Sequence, residues 1–328
     1  MRPASFLAAR RCERLVREGS HRYHQFDLVG AEQLLQRALA EAERSGRPRA
    51  IARAAQSLYY LLRRQRRHAE AAEALEHEVG AHRRLDGVDG RWTAEWRNEL
   101  IGLYGRLGRC GELEALCRER LAADVRRHGE HSPEAAWALL TLAWALRGAG
   151  RCDEAEDLCR RARSLLEAVF GADHPRTGWA LTGLAAVRER QGDLAEAEAA
   201  LRRARANWQR VGHADRVAAV DELLIDLLVR QRRDSEALEL SSARFQGRVC
   251  ATDGRGLCQV ERHAALLRAS GRAGEAATWE ERAGALRAAI ERRGHERERL
   301  GEGAPETPAV TSCGESCLAG PVFPGPLL

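Results

Sequence analysis

The 328 residues contain no lysine; all 53 basic residues are Arg. This excludes a phosphate-cradling loop of the G-x-x-x-x-G-K type, a Schiff-base lysine and a kinase-type ATP lysine. Exclusive use of Arg fits a high-GC coding bias and predicts a bacterial source. Aromatic residues make up only 5% of the chain, and β-branched residues are scarce. Long apolar runs are missing too, and none approaches the ~18 residues of a membrane span. The short apolar stretch at Phe6 runs at once into Arg10 and Arg11, so no secretory signal is read. G-x-S-x-G, G-x-G-x-x-G and H-E-x-x-H are all absent, and nothing assembles a nucleophile, a base and an oxyanion hole. The expectation is a chain that is not an enzyme, with no cofactor and no metal.

What is present is Ala and Leu, which dominate a 44% hydrophobic content and favour helix over strand. The length suits one large domain or two ordinary ones. The formal charge is +5; Glu302, Glu306 and Glu315 are the only charged residues after 300, so residues 1–300 carry +8. Basic and acidic residues interleave, as on a solvated helical surface. Nine cysteines, an odd number, predict a cytoplasmic protein with reduced thiols.

The dominant feature is a repeat. Gly108-Arg109-Cys110 recurs as Gly150-Arg151-Cys152 and again as Gly192-Asp193-Leu194. Residues 108–149 and 150–191 share fifteen identities, among them Cys117/Cys159, Pro133/Pro175 and Trp137/Trp179. A turn followed by a small-plus-acidic helix start lies at Gly30-Ala31, Glu70-Ala71, Glu112-Leu113, Glu154-Ala155, Glu196-Ala197, Glu236-Ala237 and Glu275-Ala276. That makes seven units of 39 to 42 residues.

Each unit reads as two antiparallel helices. In the fourth, Ser132 is a cap, Pro133 suits the first helical position, and Leu139, Leu142, Ala143 and Leu146 keep helical spacing. Gly148 and Gly150 end that helix, and Asp153 is expected to cap the next. Ala143, Ala155, Ala162, Ala185, Ala197 and Ala204 allow close helix approach. A lone hairpin cannot bury its apolar face, so neighbours must stack.

The small residues at Ala143 and Ala185, the turn glycines and the alanines of the second helix resemble the tetratricopeptide repeat. The 42-residue period, with connectors Gly129–Pro133 and Gly171–Pro175, resembles its kinesin light chain variant. The resemblance implies an all-α, right-handed α-solenoid of six to seven helix-turn-helix repeats. Residues 1–45 are assigned to a helical cap or degenerate repeat, 46–293 to the solenoid, and 294–328 to a disordered tail rich in Gly, Pro and Glu.

In that family the first helix of each unit lines a concave groove that takes peptides. The matching positions are Arg53, Gln56, Tyr60, Arg63 and Arg64 in the second unit, and Asn98 and Arg106 in the third. They are Trp137, Thr141, Trp144 and Arg147 in the fourth, and Trp179, Thr182, Glu189 and Arg190 in the fifth. Glu222, Asp226 and Arg230 follow in the sixth, and Arg268 in the seventh. Trp137, Trp144 and Trp179 suit either an aromatic shelf or packing between helices. The arginines suit either an acidic partner or a helix C-terminus. Cys117 and Cys159 read as core fillers, Cys110 and Cys152 as turn residues, and Cys313 and Cys317 as incidental tail thiols. The pairs His21/His24 and His128/His131 read as surface or cap residues.

The expected function is a scaffold that binds a protein or peptide, acidic or amphipathic in character, with no membrane partner. The alternative is a nucleic-acid-binding helical repeat.

Overall fold

The repeat turns decide where each helix begins and ends. The computed structural model describes residues 3–245 and 254–299, and among them it contains fourteen helices and no strand. In order they are α1 (Pro3–His24), α2 (Leu28–Ser45), α3 (Pro48–Arg64), α4 (His68–Asp86), α5 (Arg91–Leu107), α6 (Cys110–His128) and α7 (Pro133–Gly148). Then come α8 (Cys152–Phe170), α9 (Pro175–Gln191), α10 (Leu194–Arg210), α11 (Ala214–Arg230), α12 (Asp234–Phe245), α13 (Gly254–Ala269) and α14 (Ala273–Arg299). They pair into seven hairpins.

One left-handed residue sits inside every hairpin: Phe26, Arg66, Gly108, Gly150, Gly192, Arg232 and Gly271, with φ between 59° and 86°. Glycine adopts this conformation freely, whereas a side chain there costs roughly 1 kcal/mol. The hairpins at Phe26, Arg66 and Arg232 carry that strain.

The residue after each left-handed position opens the second helix, and it is either Asp or Arg. Asp27 and Asp193 accept from the backbone N–H of Gly30 and Glu196 at 2.9 and 3.2 Å, an ordinary N-cap. Arg67, Arg109, Arg151, Arg233 and Arg272 instead grip the Glu three residues on, through Glu70, Glu112, Glu154, Glu236 and Glu275. Those contacts run from 2.6 to 2.9 Å. Three of these arginines also reach the second helix of the repeat before. Arg67 meets Glu32 at 2.5 Å, Arg109 meets Glu76 at 3.1 Å and Arg233 meets Glu198 at 2.6 Å. Arg151, rather than the expected Asp153, therefore occupies the cap of α8. Asp153 stands one residue inside, where its charge still complements the helix N-terminus.

The long connectors behave as their residues predict. Ser132 Oγ accepts from Ala135 N at 3.1 Å, with Pro133 at the first helical position of α7. His174 Nδ1 accepts from Arg176 N at 3.1 Å ahead of Pro175.

The chain divides into two compact units, one built on residues 3–123 and the other on 124–245 and 254–293. In the first, α1 packs on α2, α2 on α3, α3 on α4 and α4 on α5. In the second, each helix from α7 to α13 packs on the next, and α7 also meets α9. The same register is buried throughout: Ala31, Ala71, Ala155, Ala197, Ala237 and Ala276 at one position, and Leu35, Leu75, Cys117, Cys159 and Leu201 four residues on. The expected small residues Ala143, Ala162, Ala185 and Ala204 are buried as well. α1 and α2 form a hairpin like those that follow. α14 runs to Arg299, past residue 294, and the remainder of the expected tail, with Cys313 and Cys317, lies outside the described residues. Cys12, Cys110, Cys117, Cys152 and Cys159 are free thiols, while Cys258 is disulfide-bonded, a departure from the expectation of reduced thiols. Among the described residues, no helix is long and apolar enough to cross a membrane.

Candidate ligand-binding cavity

In the unit 3–123, α3, α4 and α5 enclose an open cavity of about 510 Å³. α3 contributes Arg49, Ala52, Arg53 and Gln56; α4 contributes Glu78, His82, Leu85 and Asp86; α5 contributes Trp92 and Trp96. Arg53 and Gln56 are sequence-projected positions. Glu78, His82, Leu85 and Asp86 lie outside the projection because the resemblance points to first helices and α4 is a second one; Arg49, Ala52, Trp92 and Trp96 stand on first helices but not at the projected positions.

Glu78 is the anomaly of this cavity. It is 1% exposed, and neither carboxyl oxygen accepts from any protein group. The imidazole Nε2 of His82 lies 3.9 Å from it. Burial, helped by the charge of Glu95, pushes the carboxyl up to about 8. Trp96 is 5% exposed, and its indole N–H also has no protein acceptor. Its ring meets Tyr59 edge-on at 6.0 Å and Tyr60 at 6.2 Å. Trp92 is half exposed at the mouth, 6.3 Å from the His82 ring. Asp86 is already engaged, accepting from Trp92 N at 3.1 Å and Thr93 Oγ1 at 2.8 Å.

The remaining projected residues of this unit are partly committed. Tyr60 is exposed. Arg63 donates to Tyr59 Oη at 3.3 Å and lies 3.9 Å from Glu99. The Arg64 guanidinium stands 5.2 Å from the rings of both Tyr23 and Phe26. Asn98 is half-buried and its Oδ1 accepts no hydrogen bond, whereas Arg106 is exposed with no ion-pair partner among the described residues.

In the unit 124–293, most projected side chains serve the protein itself. Trp137 and Trp179 meet edge-on at 6.0 Å. Trp179 also meets Trp208 at 5.5 Å and carries the Arg216 guanidinium 4.3 Å above it. Trp144 is half-buried. Thr141 and Thr182 spend their hydroxyls on their own helices, on Trp137 O and Gly178 O, each at 2.9 Å. Arg147 is buried, and burial and the neighbouring Arg190 lower its pKa. Arg230 pairs with Glu189, Arg268 with Glu280, and Arg244 and Gln259 with Glu222. Arg262 holds Asp226 at 2.6 Å, and burial pushes that carboxyl up to about 6. Arg190 is exposed with no ion-pair partner among the described residues. No group of three or more His, Cys, Asp or Glu among the described residues is arranged to hold a metal.

Comparison with known proteins agrees with this architecture. The tetratricopeptide repeat model matches residues 92–161 and 145–210. No curated protein matches the chain. Among solved structures, kinesin light chain TPR-like repeats of Podosopora anserina share 20% identity at a TM-score of 0.51, covering 60% of this chain and 95% of that one. A tetratricopeptide repeat protein of Parabacteroides merdae shares 16% identity at 0.53, covering 84% and 93%. The apo form of RapI shares 12% at 0.52, covering 86% and 76%. The tetratricopeptide repeat model thus accounts for residues 92–210, and the same helical hairpin recurs on both sides of them.

Proposed function

We propose that the chain is a non-catalytic scaffold that binds a protein or peptide segment, with the α3–α4–α5 cavity as an anchoring point. The observation that carries this reading is the cavity itself: it is open, walled by two Trp residues, and lined by polar groups of Glu78 and Trp96 that no described residue satisfies. Binding sites combine that kind of apolar wall with a few convergent polar groups. Arg49 and Arg53 at its edge, with the exposed Arg106, favour a segment that also carries acidic residues. Trp137 and Trp179 remain candidate contacts for apolar side chains in the second unit.

The test is affinity capture from native extract with mass spectrometry, comparing wild type with Trp92→Ala/Arg53→Glu, each with and without nuclease. These side chains are exposed, so the variant keeps its fold. A protein captured only by wild type and indifferent to nuclease supports the reading. Capture that ignores the substitutions but vanishes with nuclease overturns it in favour of nucleic acid.

A further inference from the structure

We infer that the α3–α4–α5 cavity receives one cationic side chain of the bound segment, with Glu78 as its counter-charge and Trp92 and Trp96 as aromatic walls. This rests on the binding reading above and names the chemistry of that site.

Three observations converge. First, a carboxyl 1% exposed with both oxygens unpartnered among the described residues destabilises the free protein. The group is worth its cost only where something else donates to it, and the α3–α4–α5 cavity is an open space that it lines. Second, the walls are two indoles whose faces attract cations, and one of them, Trp92, lies half exposed where a ligand would enter. Third, the arrangement opposes an anion: a negative group that reached the floor would meet Glu78. Arg49 and Arg53, on α3, are the places where an anion would be held. A neutral amide would satisfy the protonated carboxyl but would gain nothing from ionising it. A guanidinium or ammonium would gain, and Glu78 would release its proton to solvent as the cation arrived.

Linkage makes the idea measurable. Arg49, Arg53 and Tyr60 on α3, His82 and Asp86 on α4, and Glu95 on α5 are the charged or titratable groups around Glu78. The arginines stay charged throughout the neutral range. With its carboxyl pushed up to about 8, Glu78 is mostly protonated at neutral pH. Affinity for a cation should then rise up to about tenfold per pH unit below that value.

The experiment uses the full chain and three capped tripeptides that differ only in the central residue: Arg, its uncharged isostere citrulline, or Glu. Binding is measured by calorimetry and tryptophan fluorescence from pH 6.5 to 8. The expected result is that the Arg peptide binds about tenfold tighter than the citrulline peptide, with an affinity that climbs with pH. Glu78→Gln keeps the shape and is expected to abolish both the preference and the pH dependence. Trp92→Ala, at an exposed site, is expected to weaken the Arg peptide without affecting the fold. Equal binding of all three peptides would overturn the cationic receptor while leaving the cavity a binding site. Binding of none of them at millimolar concentration would overturn both. An Arg preference that survives Glu78→Gln would overturn the assignment of the counter-charge.

Discussion

The guanidinium of Arg97, on α5, lies 3.3 Å from the carboxylate of Glu119, on α6, and Glu119 is shared with Arg83 of α4 at 2.5 Å. Arg97 is 1% exposed and also donates to Val88 O at 3.4 Å, so this is a cation buried inside the first unit with Glu119 as a counter-charge. The two ends are not equivalent. Glu119→Ala takes a carboxylate partner from a buried cation and should cost about 2–3 kcal/mol, since Glu119 itself is partly solvated. Arg97→Met leaves Glu119 its contact with Arg83 and should cost less. Urea melts of the two variants check the order; a larger loss for Arg97→Met would refute it.

Glu78 makes stability pH-dependent in an unusual direction. Its folded pKa, about 8, lies above the ordinary carboxylate value of 4.5. The native state therefore holds a proton that the unfolded state has lost across that window. The contribution of Glu78 is full below pH 4.5 and declines towards pH 8, with a slope approaching about 1.4 kcal/mol per unit. Glu78→Gln should flatten this slope and melt later than wild type at pH 7.5. Identical pH profiles would contradict the burial argument.

Two helical glycines should respond oppositely to alanine. A Cβ on Gly102, in α5, meets nothing within 4 Å, so Gly102→Ala should stabilise by about 0.5–1 kcal/mol. A Cβ on Gly178, in α9, would stand 3.2 Å from the Trp208 ring, which is buried and braced by Trp179. Gly178→Ala should destabilise by about 1 kcal/mol despite the gain in helix propensity. The shift in urea midpoint, measured at constant m, gives the sign for each.

The repeat also sorts its thiols. Burial pushes Cys117 and Cys159 up to about 12, while Cys110 and Cys152 are half-buried at the starts of their helices. Brief iodoacetamide treatment followed by peptide mapping should label Cys110 and Cys152 and spare the other two until urea is added. Early labelling of Cys117 or Cys159 would show local opening of the α6 or α8 hairpin.

How far the sequence reads ahead of the structure depends on how local each signal is. Ser132-Pro133, His174-Pro175 and the turn glycines encode helix limits within a few residues, and the helices follow them. The small and apolar register was equally legible, because every repeat restates it. Arg151 was missed as the opening residue of α8 because guanidinium is not a capping acceptor. Its role works through side-chain partners such as Glu154, and at the matching positions also through an acid one repeat earlier. Glu78 was missed for a different reason: among Glu73, Glu76 and His77 it looks like one more solvated residue. Its burial depends on α5 closing over α4, which no window on α4 reveals. The tryptophans were recognised as a group, but Gly178, which leaves room for Trp208 beside Trp179, was not.

The Arg–Glu clasps have a consequence for how such a chain can change length. Each clasp takes one acid from its own helix and, where it reaches further, another from the second helix one repeat behind. Deleting or duplicating a whole period would leave each surviving Arg the Glu of its own helix, and an acid one repeat behind where that helix carries one. Adding a few residues would strand the Arg on one side and the Glu on the other. The charge pattern therefore tolerates growth in whole-repeat steps and penalises lengths in between, much as a ratchet does, so descendants of such a chain should differ by complete hairpins.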